Sequence, residues 1–117
     1  MLFALLQLAL APALDNGLAL TPPMGWRSWN AYRGAVTQAN VSATVDAIVD
    51  ASRGGVSLLS LGYANVGTDD GWQACGTGRT NKTFHDASGK PLINLTTFSD
   101  IKAMVAEGHK KGVTMGW

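Results

Sequence analysis

The sequence has 117 residues, a formal net charge of +1 at pH 7 and only 15% charged residues. This balance argues against a strongly basic nucleic-acid-binding protein and against attraction to an anionic membrane surface. We therefore expect a globular protein with no nucleic-acid or membrane partner, while composition leaves the oligomeric state open.

The first residues have the pattern of a secretory leader. Residues 2–6 are all apolar, no charged residue precedes Asp15, and Ala11, Pro12 and Ala13 fit a small-x-small cleavage site. A membrane span would need about 20 apolar residues, far more than this run contains. We predict a signal peptide at residues 1–13, which leaves residues 14–117 as the folded part.

Three sequons support a secretory route. The N-x-S/T pattern begins at Asn40, Asn81 and Asn94, so we predict a glycoprotein that is secreted or lumenal, in a lysosome or vacuole. The only cysteine is Cys75. It is either a buried free thiol or half of a disulfide whose partner lies outside this chain.

The first strand is predicted at residues 24–30, directly after a proline pair. Trp26 and Trp29 lie an odd number of positions apart, so on a strand they would face opposite sides. We expect Trp26 to pack in the core. Trp29, close to the end of the strand, is a candidate to lie over a ligand.

A helix should follow. Apolar residues recur on one helical face at Val41, Val45, Ile48 and Val49. Asn40 or Ser42 could cap this helix. A glycine pair then interrupts it, and a short helical segment is expected to resume within residues 54–61.

The next strand, residues 63–68, runs into Asp69 and Asp70. Tyr63, Val66 and Thr68 favour a strand, while the aspartates and the glycine after them favour a turn. Carboxylates accept hydroxyl protons and aromatic rings cover C–H faces, so this strand end suits a polyhydroxylated ligand. From the residues alone, a solvated turn or helix cap is the competing interpretation.

The remaining chain continues the alternation of strands and helices. A polar connection spans residues 73–91, and its two nearby glycines lack the third glycine and the helix of a phosphate loop. A helix is predicted from the apolar face of Phe98, Ile101, Val105 and Gly108, followed by a strand at residues 113–117. The resulting class is α/β with parallel strands. We expect no cofactor and no metal, because His85 and Asp86 have no second ligand at a recognised spacing.

The sequence resembles the amino-terminal part of the α-galactosidases of glycoside hydrolase family 27. The resemblance rests on residues 14–26, on Ser28, Trp29 and Asn30, and on residues 61–63 leading to Asp69, Asp70 and Trp72. It implies a (β/α)8 TIM barrel, of which residues 14–117 would form about three βα units. It further implies hydrolysis of terminal α-linked galactose with retention of configuration. Trp29, Asp69 and Asp70 would bind the galactose, and Trp72 would pack beneath the loop.

The resemblance also implies what this chain would lack. The nucleophile and acid/base aspartates of the family lie on later strands, so we expect no catalytic residue in this chain and no hydrolysis by the isolated fragment. Thr68 and Gly71 depart from the family pattern around the aspartate pair. A sibling specificity, α-N-acetylgalactosaminidase or β-L-arabinopyranosidase, and a non-catalytic secreted galactose-binding module are the alternatives.

Overall fold

The computed structural model describes residues 16–18, 20–74 and 84–117. It contains short strands that alternate with helices, as the sequence predicts for an α/β chain. In chain order the elements are β1 (Gly25–Arg27), α1 (Trp29–Tyr32), a 3-10 turn (Arg33–Ala35), α2 (Gln38–Val49), a second 3-10 turn (Leu59–Leu61), β2 (Asn65–Gly67), α3 (Ile101–Lys110) and β3 (Thr114–Gly116).

The three strands form one parallel sheet in the order β1-β2-β3. In its register Trp26 lies beside Val66, and Val66 lies beside Met115. Because the strands are parallel and in sequence order, their carboxyl ends meet at one edge. Residues that follow the strands are thereby brought together.

Helix α2 forms where the apolar repeat predicts it, but its cap differs from the prediction. Thr37 is the N-cap, its hydroxyl accepts from the Asn40 N–H, and the Asn40 side chain accepts from the Thr37 N–H. Neither Asn40 nor Ser42 is therefore the cap. A reciprocal capping box of this kind satisfies two backbone donors that the first helical turn leaves unpaired.

Helix α3 begins after Asp100, whose carboxylate accepts from the Ala103 N–H at 2.8 Å. Gly112, with φ +80°, follows the helix end. Phe98 precedes the helix instead of lying on its face, yet its side chain is fully buried. The buried helix positions are Met104 and Gly108, whereas Val105 is half-buried.

A small apolar core lies between the sheet and helices α2 and α3. Its buried members are Val36, Val41, Val45, Ile48, Val66, Phe98, Met104 and Val113. Trp26 packs against this cluster, as predicted for a core tryptophan. The core therefore fixes β2 against both helices and, through β2, the position of the strand ends.

Several predicted boundaries were wrong. The strands are three residues long, so Trp29 does not lie on a strand but begins α1. The short helical segment predicted within residues 54–61 is present as the 3-10 turn Leu59–Leu61. The connection after β2 contains antiparallel bridges, which pair Gln73 with Ile93 and His85 with Pro91.

Candidate functional site

The candidate site lies at the edge of the sheet where β1 and β2 end. Ser28 and Trp29 follow β1, and Asp69 and Asp70 follow β2 after one intervening residue. The Ser28 N–H donates to the Gly67 carbonyl at 3.1 Å, which extends the pairing of the two strands past their ends. Sequence-distant residues thus meet within hydrogen-bond distance.

Ser28 connects the two chain segments. Its side chain is fully buried, and its hydroxyl accepts from the Asp69 N–H at 2.8 Å while donating to Asp69 Oδ2 at 3.3 Å. Its carbonyl accepts from the N–H groups of Ala31 and Tyr32, which closes the first turn of α1. The same residue therefore begins the helix and fixes the backbone of Asp69.

The Asp69 carboxylate accepts four hydrogen bonds. Arg27 donates to Oδ1 from Nε at 3.1 Å and from Nη2 at 2.6 Å. The Ser28 hydroxyl donates to Oδ2 at 3.3 Å, and the Trp29 N–H donates to Oδ2 at 2.9 Å. Because a carboxylate has about four acceptor positions, Asp69 acts as a clamp between the ends of β1 and β2.

These donors also set the ionisation of Asp69. The hydrogen bond from Arg27 lowers the pKa of Asp69 most, partial burial opposes this shift, and the Trp29 N–H, the Arg27 charge and the Ser28 hydroxyl lower it further. The carboxylate is therefore ionised at neutral pH. A negative charge that is already paired in this way favours a holding role over proton transfer.

Asp70 lies in different surroundings from Asp69. Its side chain is exposed, and its Oδ1 accepts from the N–H of the next residue, Gly71, at 2.9 Å. Gly71 has φ +99°, and a Cβ there would lie 2.6 Å from the Gly34 carbonyl oxygen. Only glycine allows this close approach, so the contact with Gly34 positions Asp70 relative to the end of α1.

Arg27 crosses the sheet surface to reach Asp69. A Cβ at Gly67 would overlap the Arg27 guanidinium, so the absence of a side chain at Gly67 makes room for Arg27. On this face the strands border a cavity of about 310 Å³, which lies at the lower end of typical ligand pockets, about 300–1,000 Å³. Arg27 is one of the residues that line this cavity.

The structure brings together all three residues predicted to bind the sugar. Trp29 is 46% exposed, and its backbone N–H donates to Asp69. The roles assigned to Trp29, Asp69 and Asp70 stay predictions. Sequence reasoning missed Arg27 and Ser28, although a charged residue between two tryptophans at a strand end was a usable signal.

The predicted glycosylation sites differ in their surroundings. Asn40 lies in the first turn of α2, where its side-chain oxygen belongs to the capping box. Asn94 lies in a turn, where its side-chain oxygen accepts from the Thr96 N–H at 3.1 Å. Asn81, Cys75 and the predicted leader at residues 1–13 lie outside the described residues.

Neither a cluster of metal-ligating side chains nor a membrane-spanning helix occurs among the described residues. Within them, no group of three or more His, Cys, Asp or Glu side chains is placed to hold a metal ion. The Asp86 carboxylate instead accepts from Ser88 and from the Lys90 N–H. No helix in the described ranges is both long and apolar enough to span a bilayer.

Comparison with known proteins points consistently to one enzyme class. No protein-family profile matches the chain. An α-galactosidase of Coffea arabica is 38% identical over 104 residues, which cover 88% of this chain and 24% of that protein. An α-galactosidase of Cyamopsis tetragonoloba is 35% identical over 103 residues, 87% of this chain and 22% of the relative. The chain thus spans about a quarter of the length of these curated relatives.

Solved structures give the same result. α-Galactosidase I of Mortierella vinacea superimposes with a TM-score of 0.69 at 34% identity, over 88% of this chain and 23% of that one. The α-galactosidase of Saccharomyces cerevisiae, solved with raffinose, gives 0.69 at 26% identity, over 86% of this chain and 20% of that one. The resemblance seen in the sequence is confirmed.

Proposed function

We propose that this chain forms the galactose-binding part of a glycosidase that releases terminal α-linked galactose. The chain is a homologue of α-galactosidases over most of its length. The observation that carries the proposal is the meeting of Trp29, Asp69 and Asp70 at the carboxyl ends of two parallel strands. In barrels built from βα units, this end of the sheet is where substrates bind. The type of reaction is proposed from the homology, and the position of the binding site is proposed from the strand ends.

Each residue has a distinct part in binding. The exposed Asp70 carboxylate accepts hydrogen bonds from galactose hydroxyls, and the exposed Trp29 ring covers a C–H face of the sugar. Asp69 fixes the Trp29 backbone, and its own binding of sugar would require a hydroxyl to replace one of its four donors. Binding would therefore rest more on Asp70 than on Asp69.

The proposed reaction proceeds with retention of configuration. It requires a nucleophile and an acid/base carboxylate about 5–5.5 Å apart on either side of the glycosidic bond. Asp69 is unsuited to either role, since its charge is paired with Arg27 and its oxygens are occupied. We propose that both groups come from further strands of a (β/α)8 barrel in the whole enzyme, and that the 117-residue chain alone has no hydrolase activity.

The proposed location is secreted or lumenal. Its support is the leader pattern at residues 1–13 and the sequons. In both described sequons, at Asn40 and Asn94, the side-chain oxygen accepts a backbone N–H, while a glycan would join the amide nitrogen. We propose Asn40, Asn81 and Asn94 as acceptor sites without a preference among them.

The test uses the natural polypeptide that carries this sequence, purified from its source. Incubation with an α-galactosyl disaccharide should release galactose whose first-formed anomer is α, as followed by proton NMR. A β-linked galactosyl disaccharide is the matched control and should remain intact. Galactose binding without turnover would instead favour a non-catalytic binding module, and the absence of both would overturn the proposal.

A further inference from the structure

A polar groove lies between the start of α2 and the turn that leads into α3. Its volume is about 470 Å³, and its lining residues are Thr37, Gln38, Ala39, Ser42, Thr96, Thr97 and Ser99. None of the seven is charged, and five of them carry a hydroxyl group. Because hydroxyls both donate and accept hydrogen bonds, the groove is suited to a neutral ligand with many polar groups, such as a sugar.

Gln38 holds the two walls of the groove together. Its N–H donates to the Thr97 carbonyl at 2.8 Å, and its side-chain oxygen accepts from the Asp100 N–H at 2.9 Å. The Thr97 N–H donates to the Asn94 carbonyl at 3.1 Å, which closes the turn on the second wall. The walls are therefore fixed relative to each other before a ligand binds.

Several hydroxyls in the groove remain open to a ligand. The hydroxyls of Thr37 and Thr97 already donate within their own turns. Among the described residues, no hydrogen-bond partner is present for the hydroxyls of Ser42, Thr96 and Ser99. A ligand rich in hydroxyl and amide groups could bond to these three in place of solvent.

Asn94 is the predicted glycosylation site whose glycan can reach the groove. Its side-chain oxygen accepts from the N–H of Thr96, a lining residue, at 3.1 Å. The amide nitrogen that a glycan would join is bonded to the same carbon as this oxygen. Asn40, in contrast, precedes Ser42 by two residues on α2, which places it about 160° around the helix from Ser42. A glycan on Asn40 would therefore leave from the other side of the helix.

We propose that the first sugar of a glycan on Asn94, an N-acetylglucosamine, lies in this groove. Attachment joins the amide nitrogen to the anomeric carbon of the sugar, while the amide loses one proton and a diphosphate-linked lipid carrier leaves. The hydroxyl and acetamide groups of the sugar bond to Ser42, Thr96 and Ser99. Because the sugar is already tethered, these hydrogen bonds have little further loss of freedom to offset.

The position of this sugar gives the glycan a structural role. It connects the start of α2 with the turn before α3, two segments that Gln38 alone joins at the groove. The inference rests on the proposed secretory route and is independent of the proposed reaction.

The test is the rate at which an amidase removes the glycan from each asparagine of the natural, folded polypeptide. Peptide mapping by mass spectrometry follows each site, because the amidase leaves aspartate. Ala39→Leu fills the groove and should speed removal at Asn94 by roughly fivefold, the factor expected from the loss of one hydrogen bond. Ser99→Ala removes one hydroxyl partner and should act in the same direction. Removal at Asn81 provides the internal reference.

Ala47→Leu is the matched control. Ala47 is exposed on the same helix and does not line the groove, so the rates in this variant should equal those of the unmutated protein. An unchanged rate at Asn94 in both Ala39→Leu and Ser99→Ala would overturn the position of the sugar. Absence of a glycan on Asn94 would overturn the whole inference, whether or not the protein hydrolyses α-galactosides.

Discussion

Two neighbouring carboxylates have opposite surroundings in this structure. Asp69 accepts hydrogen bonds from three residues of the β1 end, whereas the exposed Asp70 accepts from the N–H of the residue after it. A strand that ends in a turn points successive side chains in different directions, so adjacency in the chain does not imply a shared role. Asp69 holds the ends of β1 and β2 together, and Asp70 is the carboxylate that we propose to bind the sugar.

The largest expected effect is a change in galactose affinity, which should distinguish Asp70 from Asp69. Asp70→Asn should weaken galactose affinity by roughly 10- to 100-fold, since hydrogen bonds to a charged partner contribute strongly. Its melting temperature should stay nearly unchanged, because the hydrogen bond that the Asp70 carboxylate makes within the described residues comes from the N–H of the next residue, Gly71. Isothermal titration and thermal unfolding of the natural polypeptide measure the two quantities.

Asp69→Asn is the matched variant, and it should lower the melting temperature. The new amide group has one oxygen and one NH2, so it faces either Arg27 or the Trp29 N–H with a donor in place of an acceptor and loses the charge that pairs with Arg27. An identical pattern of affinity and melting temperature in the two variants would contradict the division of roles.

A second prediction concerns how Asp70 is positioned. Gly71→Ala should lower the free energy of unfolding by about 3 kcal/mol, because it combines a positive φ with a steric overlap. Gly89→Ala is the control, since Gly89 has φ +83° and open space where an added Cβ would lie. This substitution should lower the free energy of unfolding by about 1 kcal/mol. Denaturant unfolding gives both values. Equal costs would mean that the contact with Gly34 does not constrain the turn.

The third prediction uses pH to test the clamp. Because the pKa of Asp69 is lowered, its ionised form contributes fully above the ordinary value of 3.8 and is lost as pH falls through the lowered value. Arg27→Ala removes the largest cause of the lowering, so the acid limb of the free energy of unfolding, measured by denaturant unfolding at a series of pH values, should move to higher pH.

Lys110→Ala is the charge-matched control for Arg27→Ala. The Lys110 side chain is 74% exposed and pairs with Glu107, away from the strand ends, so this variant should leave the acid limb in place. An acid limb that does not move in Arg27→Ala would show that Asp69 is not held ionised by Arg27.

The smallest effect is expected far from either carboxylate. Lys111 pairs with Asp46 at 2.5 Å and connects α3 with α2, but an ion pair that is partly exposed to solvent contributes little. Lys111→Gln should lower the melting temperature by less than roughly 3 °C and leave galactose affinity unchanged. A larger change in affinity would mean that helix packing, and not the clamp, controls the strand ends.

Much of the architecture could be predicted because it depends on short-range patterns. The repeat of Val41, Val45 and Ile48 predicts the buried face of α2, and the strand propensity around Val66 predicts β2. The cap was predicted wrongly, because Thr37, Asn40 and Ser42 are all good capping residues and only the path of the chain entering the helix selects one of them.

The sequence by itself determined that strands alternate with helices, that a strand ends at two aspartates, and that the chain resembles α-galactosidases. These features follow from side-chain periodicity, from turn preferences and from a motif, all of which are local in the chain. Tertiary structure alone decided that Arg27 and Ser28 lie against Asp69 and that Gly71 touches Gly34. Such contacts join residues about 40 positions apart, and only the parallel pairing of β1 with β2 brings them within hydrogen-bond distance.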